Sequence, residues 1–251
     1  MKKYNIAITG ASKGLGKHLA LNLASQNRHF FLSARDEEAL KQSKQDLEKL
    51  ACSAEFYSFD VGDERMSYEW CERIFKQRLD LLILNAGISS GLDDSAKKQI
   101  QVSKVNCLGV ANIIFHALEY MQKQELIGGK RGHIVLMASI ASFVCLPNAP
   151  SYSASKHYLK SLAQSLSMAY PEIKITLICP GFIKTELTKH INNKYINKIM
   201  LDVDVAAKKI TKAIEKEKRF YAFPFYLFFL AKLYSLLPKC LQKICASKVR
   251  L

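Results

Sequence analysis

Tyr152 and Lys156 stand four residues apart at the start of a predicted helix, so their side chains share one helical face. An ammonium group near a phenol stabilises the phenolate, so we expect Lys156 to lower the pKa of Tyr152 from its ordinary value of about 10. Such a phenol can donate and accept protons near neutral pH. Tyrosine and lysine are common at this spacing, however, and a surface aromatic beside a charge would give the same pattern.

A glycine-rich turn lies near the start of the chain, between the first predicted strand and the first predicted helix. Glycine permits a tight turn, and the free N–H groups and dipole at a helix N-terminus favour the charge of a pyrophosphate. An ordinary strand-to-helix turn is the alternative interpretation. The residues of the turn that we assign to cofactor binding are Gly10, Ser12, Lys13, Gly14, Leu15 and Gly16.

Short apolar segments alternate with longer amphipathic segments along the chain, a pattern typical of repeated βαβ units. The six predicted strands are Tyr4–Thr9, Phe30–Ala34, Glu55–Phe59, Leu79–Asn85, Gly132–Ala138 and Lys174–Cys179. The predicted helices between them are Leu15–Asn27, Glu37–Ala51, Glu64–Gln77, Ser95–Gln122 and Tyr152–Tyr170. The fold class is therefore α/β, a doubly wound parallel sheet with helices on both faces.

The turn has the spacing T-G-x-x-x-G-x-G, which resembles the short-chain dehydrogenase/reductase family. Three further elements, placed after predicted strands, strengthen the resemblance, which covers roughly residues 4 to 190. It implies one Rossmann-type catalytic domain over residues 1–217 and a dinucleotide cofactor. The cofactor contacts implied in these elements are Asp60 and Val61, then Asn85, Ala86 and Gly87, and then Pro180, Gly181, Ile183 and Thr185.

The same resemblance implies a catalytic tetrad of Asn106, Ser139, Tyr152 and Lys156. Ser139 lies 13 residues before Tyr152, where the family keeps its catalytic serine, and its hydroxyl would orient the substrate oxygen. Asn106 matches the asparagine that holds a water linked to the lysine, although a polar helix position without function is the alternative. Lys156 would also bind the nicotinamide ribose, and Tyr152 would protonate the carbonyl oxygen as hydride arrives from the nicotinamide.

The end of the second strand bears on the choice of cofactor. Ala34 occupies the position where relatives that use NAD typically carry an aspartate, and Arg35 follows it. By resemblance, Lys13 and Arg35 favour NADP(H) because basic groups accommodate a 2′-phosphate. NAD(H) remains the alternative because Asp36 could pair with Arg35, unless Asp36 caps the next helix.

Composition limits the remaining classes of function. The formal net charge of +15 favours an anionic partner, but we find no motif of a nucleic-acid reader and expect no nucleic acid. The 6 histidines lack ligand spacing, so we assign no metal. The 7 cysteines form no disulfide framework, and the chain runs directly into a strand, so we expect no signal peptide and place the protein in the cytoplasm.

Residues 218–251 differ from the rest of the chain, with seven Lys or Arg and no Asp or Glu. We interpret them as an apolar and basic helical extension of the same domain. A helix over Phe225–Leu237 would span about 20 Å, short of the roughly 30 Å needed to cross a bilayer. It could complete the core or a subunit interface, cover an apolar substrate pocket, or lie at the inner membrane surface, with residues 224–251 as a peripheral contact.

The function that these features favour is an NADP(H)-dependent oxidoreductase acting on an apolar carbonyl or secondary alcohol. Relatives often pair through their fourth and fifth helices, so the resemblance implies a homodimer or homotetramer. Two alternatives remain open: a protein that binds NADP(H) and regulates a partner without turnover, and a peripheral membrane scaffold that retains only the fold.

Overall fold

The structure is a computed structural model that describes the backbone of residues 3–248 and the side chains of residues 3–243. Residues 1–2 and 249–251 lie outside the described part, and so does the very end of the predicted extension 218–251.

A single parallel sheet of seven strands forms the centre of the described chain, in the order β3-β2-β1-β4-β5-β6-β7. All six predicted strands are present, and the seventh was missed. This strand, β7, pairs parallel to β6 with Phe220 opposite Leu177. The strands are β1 (Tyr4–Thr9), β2 (Arg28–Ala34), β3 (Ser53–Ser58), β4 (Leu81–Leu84), β5 (Gly132–Met137), β6 (Ile173–Pro180) and β7 (Phe220–Phe223).

Ten α-helices are described between and after the strands. They are α1 (Gly14–Asn22), α2 (Glu37–Glu48), α3 (Glu64–Ile74), α4 (Ala96–Ser103), α5 (Gly109–Gln122), α6 (Pro150–Ala169), α7 (Lys194–Ile199), α8 (Val203–Glu215), α9 (Phe225–Leu236) and α10 (Lys239–Lys248). Side-chain oxygens of Asp36, Asp63 and Ser95 accept hydrogen bonds from the first turns of α2, α3 and α4. These caps fix where the helices begin.

The predicted single helix Ser95–Gln122 is interrupted, and that prediction was wrong in this respect. A π-helical turn over Lys104–Leu108 separates α4 from α5. Hydrophobic periodicity did not reveal it, because the turn spans only five residues, fewer than the stretch over which a helical period can be read.

Helices cover both faces of the sheet, as predicted. In β1, Ala7 packs into the apolar cluster that holds Trp70 of α3 and Ile113 of α5. Its neighbours Ile6 and Ile8 pack into the opposite cluster, with helices α1, α2 and α8. This alternation follows from strand geometry, because successive side chains point to opposite faces. The strands are apolar on both faces because both are buried.

Successive strands are added toward one edge of the sheet from β1 to β3, and toward the other edge from β4 onward. Strands β1 and β4 are therefore neighbours although two strands separate them in sequence. Helices on opposite faces diverge at such a switch point and leave a crevice beyond the carboxyl ends of the strands. The loops that follow β1, β4, β5 and β6 therefore meet at one edge of the sheet.

The predicted helix in the extension is present as α9. Within residues 3–248, the structure contains no helix that is long and apolar enough to cross a membrane.

Candidate active site

A cleft of about 1330 Å³ opens at the carboxyl edge of the sheet. Eighteen of the twenty residues predicted for the site line it: Gly10, Ser12, Lys13, Gly14, Leu15, Arg35, Asp60, Val61, Asn85, Ala86, Gly87, Ser139, Tyr152, Lys156, Pro180, Gly181, Ile183 and Thr185. The other two, Gly16 and Asn106, are buried directly behind its wall. Residues from seven separate parts of the chain thus meet in one place.

The glycine turn requires two of its glycines for different reasons. Gly10 has a φ of +66°, in the left-handed region that favours glycine. At Gly16, a Cβ would lie 2.1 Å from the carbonyl oxygen of Gly10 and 2.7 Å from Nδ2 of Asn85. A side chain at position 16 would therefore push α1 away from the turn.

The first turn of α1 can accept an anion. Lys13 occupies the N-cap position but makes no side-chain cap hydrogen bond among the described contacts. Gly14 and Leu15, which begin the helix, line the cleft. Backbone N–H groups at a helix start have no partner within the helix, and the helix dipole adds positive potential there. This arrangement fits the pyrophosphate of a dinucleotide.

Asn85 fastens the loop after β4 to the glycine turn. Its Nδ2 donates hydrogen bonds to the carbonyl oxygens of Thr9, at 3.1 Å, and of Gly10, at 3.2 Å. The hydroxyl oxygen of Thr9 accepts hydrogen bonds from the backbone N–H groups of Asn85 and Ala86, both at 3.0 Å. These bonds fix the distance between two walls of the cleft.

Arg35 and Asp36, next to each other in sequence, have different partners. Asp36 accepts a hydrogen bond from the backbone N–H of Ala39 at 3.1 Å and so caps α2. Arg35 is exposed, and its Nη1 lies 3.8 Å from Oδ2 of Asp60. An exposed pair at this distance is weak, so the guanidinium can turn toward an anion in the cleft. The cap interpretation of Asp36 is therefore correct.

Tyr152, Ser139 and Lys156 meet at the carboxyl end of β5. The Ser139 hydroxyl lies beside Tyr152. It donates a hydrogen bond to the carbonyl oxygen of Pro180 at 3.4 Å, and its oxygen accepts one from the backbone N–H of Ala141 at 3.1 Å. The Nζ of Lys156 lies 5.5 Å from the centre of the Tyr152 ring. It donates a hydrogen bond to the backbone carbonyl of Met137 at 2.9 Å.

The expected lowering of the Tyr152 pKa by Lys156 does not appear in the structure. Burial raises the pKa of Tyr152 above its ordinary value, and the neighbouring hydroxyl of Ser139 opposes this rise. Burial also lowers the pKa of Lys156 to about 8, against smaller opposing effects of Cys179 and Cys107. Desolvation outweighs the attraction that the sequence suggested, because the protein buries Lys156 and covers much of Tyr152.

Asn106 lies inside the π-helical turn and is 1% exposed. Its Oδ1 accepts a hydrogen bond from the backbone N–H of Ile88 at 2.8 Å. Its Nδ2 donates to the carbonyl oxygen of Ile88 at 2.9 Å and to the hydroxyl of Ser155 at 3.1 Å. The side chain thus links the loop after β4 to α6, the helix that carries Tyr152 and Lys156.

Two features of the site were missed by sequence reasoning. The first is the backbone carbonyl of Met137, which accepts the hydrogen bond from Lys156. The sequence indicated only that Met137 stands at the end of a predicted strand, two residues before Ser139. The second is the position of α9, which the sequence left open among three interpretations. Four of its residues line the cleft: Leu227, Leu230, Ala231 and Tyr234.

Comparison with known proteins identifies the family. Residues 4–196 match the short chain dehydrogenase family. Dehydrogenase/reductase SDR family member 7B of Xenopus laevis is 32% identical over 196 residues, which cover 73% of this chain and 59% of the frog protein. Epidermal retinol dehydrogenase 2 of Mus musculus is 30% identical, over 93% of this chain and 78% of the mouse protein. The chain therefore belongs to the short-chain dehydrogenase family of oxidoreductases.

Solved structures share the fold. A short-chain dehydrogenase/reductase from Burkholderia phymatum in complex with NAD superposes with a TM-score of 0.78 at 22% identity and covers 93% of both chains. An alcohol dehydrogenase from the archaeon Thermococcus sibiricus complexed with 5-hydroxy-NADP gives a TM-score of 0.75 at 20% identity, covering 88% of this chain and 95% of that one.

Proposed function

We propose that the protein is an NADP(H)-dependent oxidoreductase that transfers hydride between nicotinamide and an apolar carbonyl compound or secondary alcohol. The observation that carries the proposal is the meeting of Ser139, Tyr152 and Lys156 in the same cleft as the glycine turn. A phenol, a hydroxyl and an amine placed together can move a proton at a substrate oxygen.

Each of these side chains has a role that follows from its contacts. The bound nicotinamide supplies or accepts the hydride. Tyr152, which stays protonated because burial raises its pKa, donates the proton to the carbonyl oxygen during reduction. Ser139, whose hydroxyl lies beside Tyr152, orients that oxygen and shares its developing charge. Lys156 supplies positive charge to the Tyr152 ring face and binds the nicotinamide ribose.

In this proposal Asn106 positions other parts of the site and does not touch the substrate. Both of its amide protons and one lone pair of its Oδ1 are used on Ile88 and Ser155, so the side chain can accept only one further hydrogen bond, from a water linked to Lys156. The amide keeps the loop after β4 at a fixed distance from α6.

Preference for NADP(H) over NAD(H) rests on two basic groups, one after the second strand and one in the glycine turn. Arg35 and Lys13 line the cleft together and are exposed, where they can approach a 2′-phosphate. Asp36, the residue that argued for NAD(H), is used as a helix cap. The solved relatives include complexes with NAD and with 5-hydroxy-NADP, so the choice depends on these residues.

An apolar substrate is favoured by the part of the cleft beyond Tyr152. Val144, Leu146 and Pro147 lie there, with the inner side of α9. Relatives by sequence include a retinol dehydrogenase and 15-hydroxyprostaglandin dehydrogenase [NAD(+)] of Mus musculus, whose names give retinol and 15-hydroxyprostaglandin as the alcohols. The cytoplasmic location and a homodimer or homotetramer remain part of the proposal.

The test is consumption of NADPH with a panel of apolar ketones and aldehydes. Tyr152→Phe should abolish turnover and keep NADPH binding, whereas Tyr158→Phe, six residues further along α6, should keep both. Binding of NADPH without turnover of any member of the panel would favour the regulatory alternative. An active Tyr152→Phe enzyme would refute the catalytic assignment.

A further inference from the structure

One side of α9 presents a continuous apolar surface to solvent. The exposed residues are Phe225, Tyr226, Phe229, Leu230, Leu233 and Leu236, called here the α9 surface. At about 100° per residue they occupy an arc of roughly 140° on the helix. Phe225 is 70% exposed and Leu236 is 80% exposed. Contiguous apolar patches of this kind mark binding surfaces more often than isolated exposed residues do.

The opposite side of α9 is packed against the protein. The Phe228 ring meets the Phe143 ring edge to face, with centres 5.1 Å apart, and also contacts Phe220 of β7. Ala231 is 6% exposed. The helix is therefore fixed to the sheet by its buried side, and its exposed side is a stable surface feature.

The α9 surface adjoins the mouth of the cleft. Leu230 belongs to both, since it is 56% exposed and also lines the cleft. Next to it on the helix, Leu227 and Tyr234 line the cleft. Leu227 lies close to the loop after β6, because a Cβ on Gly181 would be 3.2 Å from its Cδ1. One helix thus forms the wall of the cleft on one side and the exposed apolar surface on the other.

Basic residues border this surface. Lys232 lies at its edge, with its Nζ 5.5 Å from the centre of the Phe143 ring. Lys239 and Lys243 of α10 are exposed beyond its end. Because residues 218–251 contain no Asp or Glu, an occupant with negative charge is favoured.

Charge also distinguishes between two candidate partners for the α9 surface, a second copy of the chain and an anionic bilayer. A second copy of the chain docked about a two-fold axis would bring identical surfaces together and would oppose like charges across the contact. An anionic bilayer suits both the apolar side chains and the lysines, because the side chains contact acyl chains while the lysines contact anionic headgroups. A twelve-residue helix is too short to cross, so it lies in the plane of the surface.

We propose that the α9 surface inserts into the headgroup region of an anionic phospholipid bilayer and that the cleft opens beside it. An apolar substrate dissolved in the membrane then enters the cleft past Leu230 without crossing water. The bilayer-binding part stands by itself, whereas the route of the substrate rests on the proposed function.

The binding part is tested by flotation of the full chain with two kinds of vesicle, one of phosphatidylcholine and one of phosphatidylcholine mixed with phosphatidylglycerol. We expect binding to the mixed vesicles that weakens as salt is raised. Phe229→Ser with Leu233→Ser should weaken it roughly ten-fold or more. The matched control is Leu50→Ser with Leu126→Ser, which removes two similarly exposed apolar side chains away from α9, the cleft and the helices through which relatives pair, and should change nothing.

Three results would overturn this part. They are undiminished binding by the Phe229→Ser, Leu233→Ser variant, equal binding to both kinds of vesicle, and conversion of an oligomer to monomers by that variant. The last would identify the α9 surface as a subunit interface. Circular dichroism of each variant establishes that it is folded, so that loss of binding reports on the surface.

The route of the substrate is tested with the same variant, whose two changed residues do not line the cleft. Turnover of a short water-soluble ketone should stay within about two-fold of the wild type, while turnover of a long-chain ketone carried in mixed vesicles should fall roughly ten-fold. Equal turnover of the vesicle-borne ketone by both proteins would overturn the route. Absence of turnover with either ketone in the wild type would refute the proposed function instead, and the flotation result would stand.

Discussion

The Nζ of Lys156 lies over the ring face of Tyr152, 5.5 Å from its centre, and donates a hydrogen bond to a backbone carbonyl at the end of β5. This places a buried amine beside a half-buried phenol. Burial opposes the charged form of both, so it lowers the pKa of the lysine and raises that of the tyrosine. The pair favours the neutral phenol, which is the proton donor that carbonyl reduction needs.

Replacement of Lys156 by Met should make the protein more stable at neutral pH while abolishing turnover. The folded pKa of about 8 lies below the ordinary 10.5, so the cost of burying the charge is fully present below pH 8 and disappears as the pH rises to about 10.5. We expect a gain of about 3 kcal/mol at pH 7. Urea unfolding at pH 7 and near pH 10 measures this gain.

The control for this prediction is Lys160→Met, which removes another lysine from α6, one that contacts the Phe143 ring. A Lys156→Met protein that is less stable than the wild type at pH 7 would contradict the prediction. In that case the hydrogen bond to Met137 would outweigh the cost of desolvation.

Gly16→Ala should weaken binding of NADPH severely and destabilise the fold by about 1–3 kcal/mol. The added methyl group would lie 2.1 Å from the carbonyl oxygen of Gly10, so α1 and the turn must move apart. Gly14→Ala is the comparison variant. The atom nearest to its added methyl group, Cγ2 of Thr185, would be 3.9 Å away, so only the positive φ of Gly14 opposes alanine. Calorimetric titration with NADPH tests both, and normal binding by Gly16→Ala would show that the turn does not hold the pyrophosphate.

Arg35→Ala should raise the KM for NADPH about 10- to 100-fold and leave the KM for NADH nearly unchanged. The guanidinium lines the cleft and has only a weak exposed partner in Asp60, so a 2′-phosphate would be its main ligand. Arg65→Ala removes an exposed arginine of α3 and serves as the control. A wild-type preference for NADH, unaltered by Arg35→Ala, would reverse the assignment of the cofactor.

His133 should make stability decrease in acid. It is buried in β5, its Nε2 lies 2.8 Å from the hydroxyl of Thr176, and burial lowers its pKa from 6.5 to about 4. The unfolded chain therefore takes up a proton that the folded chain refuses, so stability present above pH 6.5 is lost as the pH falls toward 4. We expect a loss of about 3 kcal/mol over this range.

Denaturant unfolding at several pH values between 4 and 7 tests this, with His133→Gln expected to flatten the curve. His116→Gln, a change to a half-buried histidine of α5, controls for removal of a histidine. An equally steep decrease in the His133→Gln protein would assign the acid sensitivity to other groups.

Local signals in the sequence were enough to predict much of this protein. Apolar strands alternating with amphipathic helices predicted the parallel sheet, because a strand that is buried on both faces must be apolar throughout. The glycine turn and the Tyr152–Lys156 spacing were also recognisable, since each depends on residues only a few positions apart. That these groups belong to one site was implied by the family resemblance, and the common direction of the parallel strands is the physical reason that they meet.

Other features depended on contacts between distant parts of the chain. Strand β7 was missed because its four residues begin an uncharged segment that continues into α9, and only pairing with β6 separates strand from helix. The π-helical turn was missed because the bonds of Asn106 to Ile88 and Ser155 are made across the fold. The pKa of Tyr152 was misjudged because spacing indicates proximity and not burial.

The extension 218–251 shows most clearly what the sequence determines and what the tertiary structure decides. Composition alone identified it as apolar and basic, and its helix was predicted within one residue of the observed end. Which side of that helix is covered depends on where β7 delivers it, against Phe143 and beside the cleft. Amino-acid sequence specifies which segments avoid water, but tertiary structure decides what each of them packs against, because burial is shared between residues that are far apart in the chain.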